Sequence, residues 1–179
     1  MTLDELRSLA TIEDNGYHRF QPPYQQMSVT LEEAELLYAL VRATRPMRVL
    51  ELGTGLGLSG RFIAQALNDN QAADSREPDL GALLTVEPIV EVGRRAVVDL
   101  LGGLRVSVTE TYPFDERWPD LVYIDSGYKE RPADIRRWLT NGYAGLVIVH
   151  DAERRYPELD LGVGTYLPTA NGMWIGHGK

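Results

Sequence analysis

The sequence predicts an α/β domain: a doubly wound, mostly parallel sheet with helices on both faces and a C-terminal edge hairpin. Three observations lead there. Apolar runs that suit strands alternate with helical patterns from about residue 30 to the end. The strand runs are so apolar, as in "GLVIVHD" at 145–151, that they suit burial on both faces, as in a parallel sheet covered by helices. Finally, a glycine-rich turn, "ELGTGLG" at 51–57, links the first such strand to a helix.

The elements follow in order. Residues 1–28 read as an N-terminal arm ahead of a single domain spanning 29–179. Within the arm, "YHRFQPPYQQMS" is broken by prolines. Its Tyr17, Phe20, Tyr24, Gln25 and Gln26 either pack across the domain or face an acceptor molecule. In "TLEEAELLYALVRATRP", Leu31, Ala34, Leu37, Leu40 and Val41 share one helical face, Thr30 and Glu33 are spaced as a capping box, and Pro46 closes the segment. A strand at 48–52 and a helix at 58–67 flank the glycine turn. The polar, aperiodic stretch 68–81 reads as a long surface loop. After it come a strand at 82–87, a helix at 88–101 stopped by Gly102 and Gly103, and a strand at 104–109. A strand at 120–125, a helix at 129–142 ended by Asn141 and Gly142, and a strand at 145–151 continue the alternation. Two short strand-like runs around a turn in 163–179 suggest the hairpin.

Composition narrows the function. At 179 residues and 44% apolar, the chain suits one domain with a real core. It has no apolar run of about 18 residues and no signal-peptide pattern at its start, so a cytoplasmic protein that does not enter a membrane is expected. The absence of cysteine excludes disulfides, thiolate metal sites and cysteine nucleophiles. A net charge of −8 repels polyanions, and the basic pairs in "GRRAVV" and "IRRWL" read as solvated helix faces, so no nucleic-acid partner is expected. Trp118, Trp138 and Trp174 read as packing residues. The oligomeric state stays open, a homodimer included.

Ligands of open parallel sheets bind outside the carboxyl ends of the strands, where strand order reverses. Those ends carry "ELGTGLG", Glu87, "TETY", "IDSGYK" and "VHDAE", with a carboxylate recurring among them. Gly53, Gly55 and Gly57 allow positive φ and a close backbone approach. Glu87 either accepts both ribose hydroxyls of an adenosine or serves as a first-turn acid of the helix beside Pro88, and the glycine loop beside it favours the ribose. A nicotinamide dinucleotide enzyme stays open as an alternative, although its acid is expected about 20 residues after the loop, whereas Glu87 follows Gly53 by 34 positions (87 − 53). A phosphate-loop enzyme is excluded because no G-K-[ST] follows the glycines. A non-catalytic binding module is the other alternative.

E-x-G-x-G-x-G, an acid ending the next strand, "DLVYIDSGYKE" and "GLVIVHDAE" together resemble the S-adenosylmethionine-dependent class I methyltransferases. Among them the chain looks most like small-molecule O-methyltransferases of the catechol and cephalosporin-hydroxylase-like type, over roughly residues 25–179. The resemblance implies a Rossmann-like methyltransferase sheet and S-adenosylmethionine as cofactor. It implies that Glu51, Gly53, Gly55 and Gly57 cradle the methionine part, that Glu87 holds the ribose and that Glu110 meets the adenine edge. It sets Asp125 near the donor's amino group and transferring methyl, and gives catalytic positions to Asp125, His150 and Lys129. In metal-using members the acids ending the fourth and fifth strands bind a divalent cation such as Mg2+. Asp125 and Asp151 match those positions, with His150 as a further ligand or a base titrating near neutrality. The chain departs from the catechol type at Ala152, where that type has asparagine, and at Lys129, one residue beyond its lysine. The reaction itself asks mainly for alignment of a small-molecule acceptor with the sulfonium and for removal of the acceptor's proton.

Overall fold

The computed structural model describes residues 1–26, 29–73, 81–112, 118–152 and 161–178. Strands β1 (Ala10–Ile12) and β2 (His18–Phe20) pair as a small antiparallel ribbon behind helix α1 (Leu3–Arg7). The main sheet comprises β3 (Arg48–Leu52), β4 (Ala82–Val86), β5 (Val106–Thr109), β6 (Leu121–Ile124), β7 (Leu146–His150), β8 (Gly164–Leu167) and β9 (Met173–His177). Its order is β5-β4-β3-β6-β7-β9-β8. The first five are mutually parallel, while β9 runs antiparallel to both β7 and β8. The chain steps outward from β3 to β4 and β5, then returns to lay β6 on the other side of β3. That reversal opens a crevice at the carboxyl ends of β3 and β6. The expected doubly wound sheet and its C-terminal edge hairpin are both present.

Strand alternation covers both faces. Val49, Leu83, Leu121, Tyr123 and Ile148 pack with Leu37, Val41, Phe62 and Ile63 of helices α2 (Leu31–Thr44) and α3 (Leu58–Ala73). Leu50, Leu84, Val122, Val147 and Val149 point the other way, onto Ile135, Trp138 and Leu139 of helix α5 (Arg131–Thr140). Trp138 and Trp174 are buried, and the partly buried Trp118 packs against the same cluster, so the tryptophans are packing residues. Helix α2 starts as the spacing predicts: Thr30 and Glu33 bond each other's backbone N–H reciprocally.

One expectation fails. Residues 68–73 are not loop but the continuation of α3. Their polar side chains tie α3 to α2, since Asp69 accepts from the Tyr38 hydroxyl at 2.6 Å and Asn70 donates to the Val41 carbonyl at 2.9 Å. The rest of that stretch, 74–80, lies outside the described residues. The helix expected over 88–101 is α4 (Val90–Ala96), which runs into a wider π turn over Val97–Leu101.

The N-terminal residues pack across the domain. Leu6, Phe20 and Tyr24 join the core cluster that contains Phe62, Arg7 pairs with Glu35 at 2.8 Å, and the Tyr17 hydroxyl donates to the Pro168 carbonyl. Among the described residues, no helix is long and apolar enough to cross a membrane.

Candidate functional site at the β3/β6 crevice

The glycine turn leaves β3 beside β4, and Gly53 and Thr54 both donate to the Val86 carbonyl, at 3.0 and 3.1 Å. Gly53 has φ +101°, and a Cβ there would sit 2.2 Å from the Asp125 carbonyl oxygen. Gly57, at φ +86°, abuts Ala96 and Leu101. These two glycines are thus demanded by internal packing as well as by turn geometry. Gly55 differs: its N–H donates to Glu87 Oε2 at 3.0 Å, while Ile89 N–H donates to Oε1 at 3.0 Å. Turn and acid therefore meet, 32 residues apart in sequence.

Glu51 lies beneath this surface. Its side chain is fully enclosed and accepts from the Ser59 hydroxyl, with Oε2 against Gly60 of α3. Burial pushes its pKa up to about 7, partly offset by the hydroxyls of Ser59 and Thr85. Glu110 is exposed just beyond β5, whose last residue, Thr109, accepts from Glu87 N–H at 2.8 Å.

On the β6 side five charged groups converge. Asp125 follows β6, and Asp151 follows β7 with φ +57°, a left-handed conformation that aspartate tolerates better than most residues. His150 Nδ1 lies 3.0 Å from Asp125 Oδ1, and its Nε2 lies 3.4 Å from Glu33 Oε2. Arg131, the first residue of α5, places Nη2 at 2.6 Å from Asp125 Oδ1 and Nη1 at 2.8 Å from Asp151 Oδ2. The same guanidinium donates from Nε to the Ser126 carbonyl and from Nη1 to the His150 carbonyl. Glu33, besides capping α2, accepts from Thr169 and Asn171 in the β8–β9 turn.

Charge pairing outweighs burial here. Desolvation alone would discharge the enclosed His150 ring, but Asp125 and Glu33 push its pKa up to about 10. Burial likewise works against Glu33 as an anion, yet His150, Thr169 and the Thr30 N–H hold it well below the usual carboxylate range. At neutral pH His150 is an imidazolium between two carboxylates, not a base titrating near neutrality.

The structure thus joins Asp125, His150 and Asp151 in one cluster, and Gly55 with Glu87 in another. Lys129 is exposed in the turn before α5 and makes no hydrogen bond or ion pair with the described residues. Arg131 and Glu33 belong to the first cluster but were not singled out for it from sequence. The Thr30–Glu33 capping signal marked the glutamate, though only as a helix start. Residues 153–160 lie outside the described residues, as do Met27 and Ser28 and the side chain of Gln26.

The ligand atoms of Asp125, His150 and Asp151 lie within 4.8 Å of one another, close enough to share a metal ion. Their present partners do not fit one. A guanidinium already bonds both carboxylates, and a ligating imidazole must give up the proton that this one shares with Asp125 or Glu33.

No family model matches the sequence, and no curated protein matches it. Solved structures do. An O-methyltransferase from Bacillus cereus with S-adenosylhomocysteine bound superposes at TM-score 0.62 and 16% identity, over 84% of this chain and 82% of its own. A Podospora anserina methyltransferase, also bound to S-adenosylhomocysteine, gives 0.62 and 16%, over 88% and 82%. The fold is that of these methyltransferases. An O-methyltransferase of Streptomyces achromogenes involved in tomaymycin synthesis, in complex with S-adenosylmethionine, gives 0.57 and 18%, over 83% and 80%.

Proposed function

We propose that this chain is an S-adenosylmethionine-dependent methyltransferase that methylates an oxygen of a small-molecule acceptor. The observation that carries the reading is the contact between Glu87 and the Gly55 N–H beside the β3/β6 crevice, in a fold shared with donor-bound methyltransferases. A carboxylate there suits a ribose diol, and the turn suits the amino-acid end of the donor. On this reading Gly53, Gly55 and Gly57 shape the methionine subsite, Glu51 supports it from below, and Glu110 borders the adenine. Asp125 stands at the transferring methyl, with Lys129 on the acceptor side. The antiparallel β9 between β7 and β8 sets the sheet apart from the order 3-2-1-4-5-6 of dinucleotide-binding folds, which favours a methyl donor over NAD.

Calorimetric titration of S-adenosylhomocysteine tests the proposal. Wild type is expected to bind at micromolar affinity, and Glu87→Ala at least tenfold more weakly, about 1.4 kcal/mol. Tight binding of NAD with none of S-adenosylhomocysteine would refute it.

A further inference from the structure

We infer that Arg131 is the resident cation of the Asp125–Asp151 pair, standing where a divalent metal would bridge the two carboxylates, so that the site works without a metal ion. Three observations converge on this.

The first is geometric. One guanidinium reaches a carboxylate oxygen at the end of β6 at 2.6 Å and another at the end of β7 at 2.8 Å, while its side chain is only 6% exposed. A planar fork suits two separate carboxylates, whereas an ammonium acts as a point charge. The second is that the guanidinium is fixed by the strand ends themselves: Nε donates to the Ser126 carbonyl at 2.8 Å and Nη1 to the His150 carbonyl at 3.1 Å. It is therefore held in the groove between the two strands, not laid over it from solvent.

The third is its place in α5. Arg131 is the first residue of a ten-residue helix, where the macrodipole disfavours a positive charge. A helix start offers a cation nothing by itself, so the two acids account for an arginine there. A metal held by the same two oxygens would have to displace two charge-assisted hydrogen bonds of a buried guanidinium. Arg131 is thus a positioning residue. It holds Asp125 and Asp151 in fixed orientation and supplies the positive charge their proximity demands.

One consequence rests on the methyltransferase reading: an acceptor at this site need not present two neighbouring oxygens to chelate an ion, and a single hydroxyl suffices.

The test titrates Mn2+ into the full chain, followed by calorimetry and by the free-ion paramagnetic signal. Wild type is expected to show no saturable binding up to about 1 mM, and its melting temperature is expected to be unchanged by chelator or by Mg2+. Arg131→Met removes the charge and keeps much of the bulk. It is expected to acquire one Mn2+ site and to melt higher with the ion than without it, a gain lost again when Asp151→Asn is added. Arg131→Lys keeps a cation and is expected to remain blind to Mn2+.

Saturable binding by wild type that disappears in Asp151→Asn overturns the inference. So does a folded Arg131→Met that acquires no site. Should Arg131→Met not fold with or without Mn2+, wild type and Arg131→Lys still decide, since a Mn2+ site in either one contradicts a resident arginine and its absence from both supports one. Failure of the donor reading is distinguishable, because it appears in S-adenosylhomocysteine binding and leaves these readouts untouched.

Discussion

Glu51 carries a cost that depends on pH. Its folded pKa of about 7 lies above the ordinary 4.5, so the native state binds the extra proton between those values. Its stability contribution is complete below about pH 4.5 and lost as pH rises through 7. Glu51→Gln is therefore expected to gain on wild type between about pH 5 and pH 8, by up to roughly 3 kcal/mol, in urea denaturation at the two pH values. An equal difference at both would contradict the buried acid. Gly53 has less latitude. With φ +101° and a Cβ position 2.2 Å from the Asp125 carbonyl, Gly53→Ala is expected to cost roughly 3 kcal/mol by thermal melting and to displace Asp125 with the turn. At this scale the acids were readable because each ends an apolar strand, a pattern visible in one dimension. Arg131 was not, since it sits among Lys129, Glu130, Arg136 and Arg137 as one charge of many. Only the β6–β7 register brings it to acids 6 and 20 residues away.

Helix α2 acts beyond its own length. Its capping glutamate, Glu33, is also the anion facing His150 and the acceptor for the β8–β9 turn, so one side chain links a helix start, a strand end and a hairpin. The two pKa shifts have opposite consequences. Glu33, shifted down, contributes stability that is present above about 4.5 and lost as pH falls through its lowered value. His150, shifted up, contributes stability that is complete below 6.5 and lost as pH rises through about 10. The Glu33–His150–Asp125 network is therefore strongest between those limits. His150→Asn is expected to be destabilised by a few kcal/mol near pH 6 and to show a flatter stability profile than wild type from about pH 6.5 to 10. A wild-type slope retained in the variant would assign it elsewhere. Element types were legible from period and caps, but the end of α3 was not. Residues 68–71 carry no apolar period, and their helical contacts are polar ones made across to Tyr38 and Val41.

At the scale of the molecule, strand order places the site. The reversal between β3 and β6 sets the glycine turn, Glu87 and Asp125 around one crevice, and β7 adds His150 and Asp151 beside them. Alternation of strands and helices made the doubly wound sheet legible, and the turn in the tail made the edge hairpin legible. The packing of the N-terminal arm required the fold, because Leu6, Phe20 and Tyr24 become core residues only against α2 and α3. Removing residues 1–26 deletes those side chains, each worth about 1.5–3 kcal/mol in burial, and uncovers the α2 and α3 core residues they pack against. The truncated chain is expected to melt well below the full one or not to fold. An unchanged melting temperature would make the arm a dispensable appendage. The most direct measurement of the site as a whole is a crystal structure of the full chain grown with S-adenosylhomocysteine. It is expected to show the ribose diol on Glu87, the homocysteine along Gly53–Gly57, and the sulfur facing Asp125 with Arg131 still bridging Asp125 and Asp151. Ligand bound elsewhere, with Glu87 turned away from it, would contradict the methyl-donor reading.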